Sequence, residues 1–252
     1  MGAHREDFRG APRPVKNGHA LHVLSAGAAK GVVLALAPAF EASIGAAIDA
    51  TFDSAGAIRS AFEGGAACDV VILPAAMLDT LAAHERIDAD SIAALGRVPT
   101  GIAVAAGDRT PAVDSAEALR TSLAQASALY CPDTARATAG IHFAGVLRTL
   151  GLYEASQSKV RTYPNGARAM AALAAGGPQG ALGCTQITEI LYTPGVVLIA
   201  ELPKPFELAT IYAAAVSRRA ASMDLAYALV ERLTGPASEA LRRAGGFLAR
   251  ST

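Results

Sequence analysis

The sequence contains no tryptophan, few other aromatic residues, no net charge and no paired-cysteine motif. Aromatic residues make up 5% of the 252 residues, and 22 basic residues balance 22 acidic ones. Nucleic-acid surfaces need a basic face, and single-strand platforms stack bases on aromatic rings, so no nucleic-acid partner is expected. The lack of net positive charge also disfavours an electrostatic attachment to anionic lipid. The composition therefore indicates neither of these two partners.

The three cysteines, Cys68, Cys131 and Cys184, are odd in number and widely separated. Without a CxxC or zinc-type spacing, neither a disulfide framework nor a metal site is expected. We expect no apolar run long enough to cross a bilayer, and residues 1–19 lack the apolar core of a signal peptide. The sequence therefore predicts a disordered lead-in over 1–19 and a cytoplasmic protein as written. It would be periplasmic if a signal had been removed or misassigned.

The stretch 21–40 predicts a strand, a turn of small residues and then a helix. Leu21 and Val23 suit a buried strand, and from Ala29 onward the apolar residues recur at helical spacing. Such a unit directs backbone N–H groups and the positive end of a helix dipole at one point, which favours an anion. The alternative is an ordinary strand–helix unit whose small residues only permit close packing.

Similar strand–helix alternations follow along the chain and predict an α/β fold with parallel sheets and right-handed crossovers. The predicted strands cover 46–52, 68–73, 98–106, 128–131, 160–163, 180–182 and 196–199. The intervening helices include 57–63, 77–84, 115–125, 142–150 and 187–192, and two more at 223–233 and 237–244 end the chain. We predict two Rossmann-like lobes with a hinge, lobe 1 from 20–101 and 205–252 and lobe 2 from 102–204, with a ligand between them.

Two segments carry a resemblance to a known family. They are the GG-x-x-x-DVVI pattern at 64–72 and the T-A-G-I-H-F-A pattern at 138–144. With CPDTARATAGIHFAGVLRTLGL and GALGCTQITEIL around them, the chain resembles the molybdate-binding-protein-like group of type II periplasmic binding proteins from residue 20 onward. This resemblance implies two lobes that hold an oxyanion at helix N-termini, and a membrane permease as a partner if the protein is exported.

The sequence departs from the molybdate-binding pattern at the residues that would hold the oxyanion. The serines that molybdate-binding members place in the first two strand–helix loops align with Ala28 and Ala55, and their ligating tyrosine falls near Gly183. Unmade hydrogen bonds to a buried oxyanion cost about 1–3 kcal/mol each, so molybdate is disfavoured. Lys30 and Arg136, in loops expected at the cleft, suit a di- or tricarboxylate instead. The expected substrate-binding residues are Gly27, Ala28, Ser54, Ala55, Arg136, Thr138, Asn165, Thr185 and Gln186.

This non-molybdate branch also resembles aconitate isomerase, which moves a double bond in a tricarboxylate. The resemblance implies a reaction without cofactor, in which a base removes a proton and N–H or cationic groups stabilise the resulting negative charge. Lys30 and His142 are the candidate catalytic residues, with Asp53 as a third candidate base. Cys184 has no His–Asp partner pattern, so covalent catalysis is disfavoured.

Two functions remain open from the sequence. One is a cofactor-free isomerase of an organic anion, and the other is the solute-binding protein of an ABC-type transporter for an organic anion or, less favoured, molybdate. The two cationic side chains also have interpretations without a functional role: Lys30 can be a solvated side chain and Arg136 a surface arginine. His142 has one as well, that of a packed core residue. The fold alone does not choose between the two functions.

Overall fold

The computed structural model describes residues 20–249, so the lead-in predicted over 1–19 lies outside the described residues. Within them, nine strands and ten α-helices alternate. The strands are β1 (Ala20–Ala26), β2 (Ala47–Asp53), β3 (Val70–Pro74), β4 (Ala93–Ala105), β5 (Leu129–Pro132), β6 (Val160–Tyr163), β7 (Leu182–Gln186), β8 (Val196–Glu201) and β9 (Ala209–Val216). The helices are α1 (Lys30–Ile44), α2 (Ala55–Glu63), α3 (Ala75–Ala83), α4 (Ala116–Gln125), α5 (Thr138–Thr149), α6 (Tyr153–Ser156), α7 (Gly166–Gly176), α8 (Ile187–Tyr192), α9 (Met223–Thr234) and α10 (Glu239–Ala244).

The first lobe is built on the strand order β2-β1-β3-β9-β4. β1 runs parallel to both neighbours, with Ala26 opposite Asp53 of β2 and Ser25 opposite Ile72 of β3. β9 is antiparallel to β3 and to residues 93–99 of β4. Because β1 and β2 are parallel, their carboxyl ends lie together, and the helices that follow them begin at the same edge of the sheet.

Strand β4 continues into the second lobe and changes partners between Pro99 and Thr100. Residues 100–105 pair antiparallel with β7 and β8, while β5 lies parallel between β6 and β7. The chain returns through the connection between β8 and β9. The lobe limits at 101/102 and 204/205 stay a prediction, whereas the sheet pairing itself changes within β4.

Each lobe has its own hydrophobic core. In the first, Phe40 of α1 and Phe62 of α2 are fully buried against the sheet. In the second, Phe143 and Leu147 of α5 pack with Leu119 of α4. Burying each such side chain stabilises the fold by about 1.5–3 kcal/mol, so apolar spacing along the helices fixes which face meets the sheet.

Three segments differ from the sequence prediction. β9 was not predicted, because four residues of its sequence ATIYAAAV are alanine, and it forms through antiparallel pairing with β3 and β4. α5 begins at Thr138 instead of His142, directly after the extended residue Ala137. β7 continues to Gln186 because residues 183–186 pair with β4.

The expectation that no apolar segment is long enough to cross a membrane is wrong by length and composition. Within residues 20–249, the helical run Gly27–Ile44 meets that criterion. Core helices of soluble proteins meet it too, and here Val33, Leu36 and Phe40 are buried in the first lobe. The length of this helix is therefore weak evidence for a membrane span.

Candidate functional site

A narrow cleft, partly open to solvent, is lined by residues of both lobes. Strand ends, helix starts and two carboxylates form its walls. The lining residues are Ala26, Gly27, Ala28, Asp53, Ser54, Ala55, Pro132, Ala137, Thr138, Ala139, Asn165, Gly166, Gln186, Glu189 and Tyr212.

Four helices of nine or more residues begin at this cleft. α1 is reached through the 3-10 turn Gly27–Ala29, and α2 begins at Ala55, both after parallel strands of the first lobe. α5 and α7 begin at Thr138 and Gly166, after the parallel strands β5 and β6 of the second lobe. The first N–H groups of a helix have no partner within the helix, and its dipole is positive there, so the cleft walls favour an anion.

The four starts differ in whether a side chain accepts a hydrogen bond from a backbone N–H group of the first turn. Ser54 Oγ accepts a hydrogen bond from the N–H of Ala57 at 3.3 Å, and Asn165 Oδ1 accepts from the N–H of Arg168 at 3.0 Å. Ala26 and Ala137, which precede the other two starts, provide no side-chain cap. Among these four helices, two starts are therefore capped and two are uncapped.

Glu189 of α8 holds a buried carboxylate in the cleft. The hydroxyl of Thr185 donates to Glu189 Oε2 at 2.6 Å, and the backbone N–H groups of Ala167 and Gly166 also donate to the carboxylate. Burial raises the pKa of Glu189, and these three hydrogen bonds oppose the rise without cancelling it. Glu189 is therefore more readily protonated than an ordinary glutamate.

The Glu189 carboxylate lies so close to two backbone segments that both are glycine. A Cβ added at Gly27 would lie 2.7 Å from Glu189 Oε1, and one added at Gly166 would overlap Glu189 Oε2 and Thr185 Oγ1. Gly27 precedes α1 in the first lobe, and Gly166 begins α7 in the second. The carboxylate thus occupies a space between the two lobes that any side chain at these positions would fill.

Asp53 makes a second polar link across the cleft. Its Oδ1 accepts from the N–H of Ser54 at 2.7 Å and from Asn165 Nδ2 at 3.2 Å. Asp53 ends β2 in the first lobe, whereas Asn165 precedes α7 in the second. The bond therefore joins the lobes directly.

Tyr212 of β9 also lines the cleft and is buried. Burial raises the pKa of its phenol, and the negative charge of Glu189 raises it further. Tyr212 therefore remains a neutral phenol at physiological pH and offers a hydroxyl to a ligand.

Most of the predicted binding residues meet in this cleft. Gln186 reaches it from β7, with its amide nitrogen oriented to donate to the carbonyls of Val98 and Pro99 at 3.0 and 3.2 Å. Thr185, beside it, supports Glu189. The other predicted binding residues in the lining are Gly27, Ala28, Ser54, Ala55, Thr138 and Asn165.

Lys30, Arg136 and His142 do not line the cleft. The Lys30 ammonium lies 5.9 and 5.4 Å from the ring centroids of Phe52 and Tyr192. Arg136 is exposed, on a loop where its backbone N–H donates to Asp133 Oδ1 at 3.1 Å. His142 is half-buried, with Nε2 2.8 Å from the carbonyl of Phe206. The expected cationic lining is absent from the described cleft, and the catalytic roles assigned to Lys30 and His142 stay a prediction.

Glu189 and Tyr212 are the cleft residues that the sequence did not indicate. Glu189 is the acidic residue in the otherwise uncharged segment Ile187–Tyr192, four residues after Thr185. A glutamate in such a segment is buried only when it has a partner, so this position could have been identified from the sequence as a candidate functional residue. Tyr212 lies on the strand that was not predicted, so no pattern placed it near the site.

The described residues contain no group of three or more His, Cys, Asp or Glu arranged to hold a metal ion. Cys184 is buried, and burial raises the pKa of its thiol well above the ordinary value. A neutral, inaccessible thiol is a poor nucleophile, so Cys184 is a packing residue.

The chain belongs to the bacterial extracellular solute-binding protein family, whose family model matches residues 21–248. The predicted two-lobed fold of the type II periplasmic binding proteins is confirmed, as is the resemblance to the molybdate-binding-like group. Proteins of this family bind small solutes and work with ABC-transporter permeases, typically in the periplasm.

A curated relative, aconitate isomerase from Pseudomonas sp., is 27% identical over 232 residues, which cover 89% of this chain and 86% of the relative. Among solved structures, the Azotobacter vinelandii periplasmic molybdate-binding protein matches with a TM-score of 0.76 at 18% identity, over 92% of this chain and 100% of that chain. The sulfate-binding protein SubI from Mycobacterium tuberculosis H37Rv matches with a TM-score of 0.70 at 16% identity, over 91% and 86%. The structural likenesses show the fold.

Proposed function

We propose that the protein binds a small organic di- or tricarboxylate in the cleft and isomerises it by proton transfer without a cofactor. The observation that carries this proposal is the presence, in one cleft, of helix N-termini from both lobes together with the carboxylates of Asp53 and Glu189. The first group of features suits an anionic substrate, and the second suits acid–base chemistry. The aconitate isomerase relative supports this reaction class.

Moving a double bond next to a carboxylate requires few groups. A base removes a proton from a carbon beside the unsaturated system, and negative charge then spreads onto a carboxylate of the substrate. Backbone N–H groups that already point at that carboxylate stabilise the charge without reorganising. The uncapped starts of α1 and α5 supply such groups here.

The lining argues against a tetrahedral dianion such as molybdate. Ala28 and Ala55 line the cleft, so no hydroxyl is available at those two positions. The carboxylates of Asp53 and Glu189 accept hydrogen bonds and repel an anion whose four oxygens all need donors. Each carboxylate group of an organic substrate presents two oxygens instead of four, so it needs fewer donors at any one helix start.

The direct test is proton NMR of trans-aconitate mixed with the purified protein. We expect the signals of the cis isomer to appear at a rate proportional to protein concentration. A thermal-shift series with trans-aconitate, molybdate and tungstate tests binding separately, because a ligand raises apparent stability by mass action. Tight binding of trans-aconitate with an unchanged spectrum would contradict the isomerase activity. Stabilisation by molybdate but not by carboxylates would contradict the substrate class.

The second candidate is a solute-binding protein that delivers an organic anion to a permease, and the family membership favours it. It predicts a periplasmic protein, whereas an isomerase also functions in the cytoplasm, the location expected from the sequence. Fractionation of cells that produce the full-length protein distinguishes the two locations. Binding without turnover, in the periplasmic fraction, would favour this second function.

A further inference from the structure

We propose that Glu189 is the general base of the isomerisation. This inference rests on the proposed function and assigns its proton transfer to one side chain. The carboxylate lies in the cleft between the starts of α1 and α7, where a ligand held by both lobes would contact it.

The surroundings of Glu189 hold the carboxylate in one position. Thr185 Oγ1 and the N–H groups of Gly166 and Ala167 contact it, and a Cβ added at Gly27 would lie 2.7 Å from its Oε1. A base fixed in this way loses little freedom when substrate binds, which favours proton transfer. Its raised pKa also makes it a better proton acceptor than an ordinary glutamate.

Of the other candidate bases, one bridges the two lobes and the others lie outside the cleft. Asp53 Oδ1 already accepts from Ser54 and Asn165, which makes this carboxylate the bridge between the lobes. His142 contacts the Phe206 carbonyl, and Lys30 lies over two aromatic rings; neither lines the cleft.

The proposed step conserves all atoms and electrons. An oxygen of ionised Glu189 takes a proton from the methylene carbon beside the double bond, and the C–H electron pair forms a new C=C bond. The electrons of the original double bond move toward the adjacent substrate carboxylate, whose charge the helix N-termini stabilise. Protonated Glu189 then returns a proton to the far carbon, which restores the base and completes the shift.

The titratable groups facing Glu189 are Tyr212 from β9 and Asp53 from the end of β2. Lys30 of α1 and Arg168 of α7 do not line the cleft. Since the base must be ionised, the rate should rise with pH through the pKa of Glu189 and then level off. Because that pKa is raised, the rising limb should lie above the ordinary glutamate value of about 4.3.

The experiment compares wild type with Glu189→Gln, using trans-aconitate as substrate. We expect kcat to fall about 10²–10⁴-fold and the rise of the rate with pH to disappear. Binding of trans-aconitate in a thermal-shift assay should persist. The matched control is Glu231→Gln, the same change at an exposed position of α9, and it should retain the wild-type rate. In Glu189→Ala, added formate should restore part of the lost rate.

Two results would overturn the assignment in different ways. If wild type isomerises trans-aconitate and Glu189→Gln retains more than a third of its kcat, Glu189 is not the base and the proposed function stands. If wild type leaves the substrate unchanged, both proposals fail. Should Glu189→Gln not fold, Glu189→Asp replaces it: a reduced kcat with the pH limb retained supports the assignment, and an unchanged kcat contradicts it.

Discussion

The four helices that begin at the cleft form two contrasting pairs. α2 and α7 begin with Ser54 and Asn165, whose side chains satisfy their own first turns, and the α7 start also holds the Glu189 carboxylate. α1 and α5 follow alanines, which have no acceptor to offer. The capped starts therefore already have side-chain acceptors within the protein, whereas the uncapped starts have none and can donate their N–H groups to a ligand.

The two uncapped starts lie in different lobes, so a bound anion can affect closure of the lobes. One uncapped start belongs to the first lobe and the other to the second. An anion that accepts hydrogen bonds from both would hold the lobes together, in addition to the bond between Asp53 and Asn165. We therefore expect ligand affinity to depend on α1 and α5, and stability of the empty protein to depend on α2 and α7.

The largest effect should come from Gly166→Ala at the occupied start of α7. The added methyl group overlaps Glu189 and Thr185, so we expect a loss of about 1–3 kcal/mol in the free energy of unfolding, measured in urea. Gly145→Ala within α5 is the control, because nothing lies within 4 Å of its added Cβ. It should stabilise the protein by about 0.5–1 kcal/mol. Equal unfolding midpoints for the two variants would refute the packing around Glu189.

An intermediate effect is expected from Thr138→Pro at the uncapped start of α5. Proline suits the first position of a helix but lacks the N–H, so stability should be retained while affinity for trans-aconitate falls about tenfold, or 1.4 kcal/mol. Ala116→Pro makes the same change at the first residue of α4, outside the cleft lining, and should leave affinity unchanged. Thr138→Ala isolates the contribution of the hydroxyl. Unaltered affinity in Thr138→Pro would show that α5 does not hold the ligand.

The smallest effect is expected from Ser54→Ala at the capped start of α2. Loss of the cap should lower the free energy of unfolding by about 1 kcal/mol with little change in affinity. Ser115→Ala removes the equivalent cap of α4, where Ser115 Oγ accepts from Ala118 at 3.1 Å, and should cost a similar amount. A tenfold loss of affinity in Ser54→Ala alone would place the ligand at α2 and end the distinction between capped and uncapped starts.

The strand–helix junctions at the cleft were largely predictable from the sequence. Gly27, Ser54 and Asn165 follow strands and precede apolar residues at helical spacing, and each lies in the lining. Such positions depend on local periodicity and on the rule that parallel strands bring their carboxyl ends together. β9 was missed because its alanines pack well in the sheet yet have little intrinsic preference for a strand.

The long polar side chains were not predictable in the same way. Lys30 was expected to face an anion, and it lies instead over Phe52 and Tyr192, the second of which is 162 residues away along the chain. Glu189 lies in the segment GALGCTQITEIL, which carries part of the family resemblance, but its environment is formed by Gly27, Thr185 and Gly166. The partners of such a side chain are known only when distant segments are assembled.

By itself, the sequence determined the alternation of strands and helices, the two-lobed α/β architecture and the small residues at the helix starts, because these depend on local spacing and side-chain size. Only the tertiary structure decided which charges enter the cleft. A flexible side chain on a helix start can turn toward several neighbours, and packing between the lobes placed acidic Glu189 and Asp53 there while Lys30 and Arg136 lie outside.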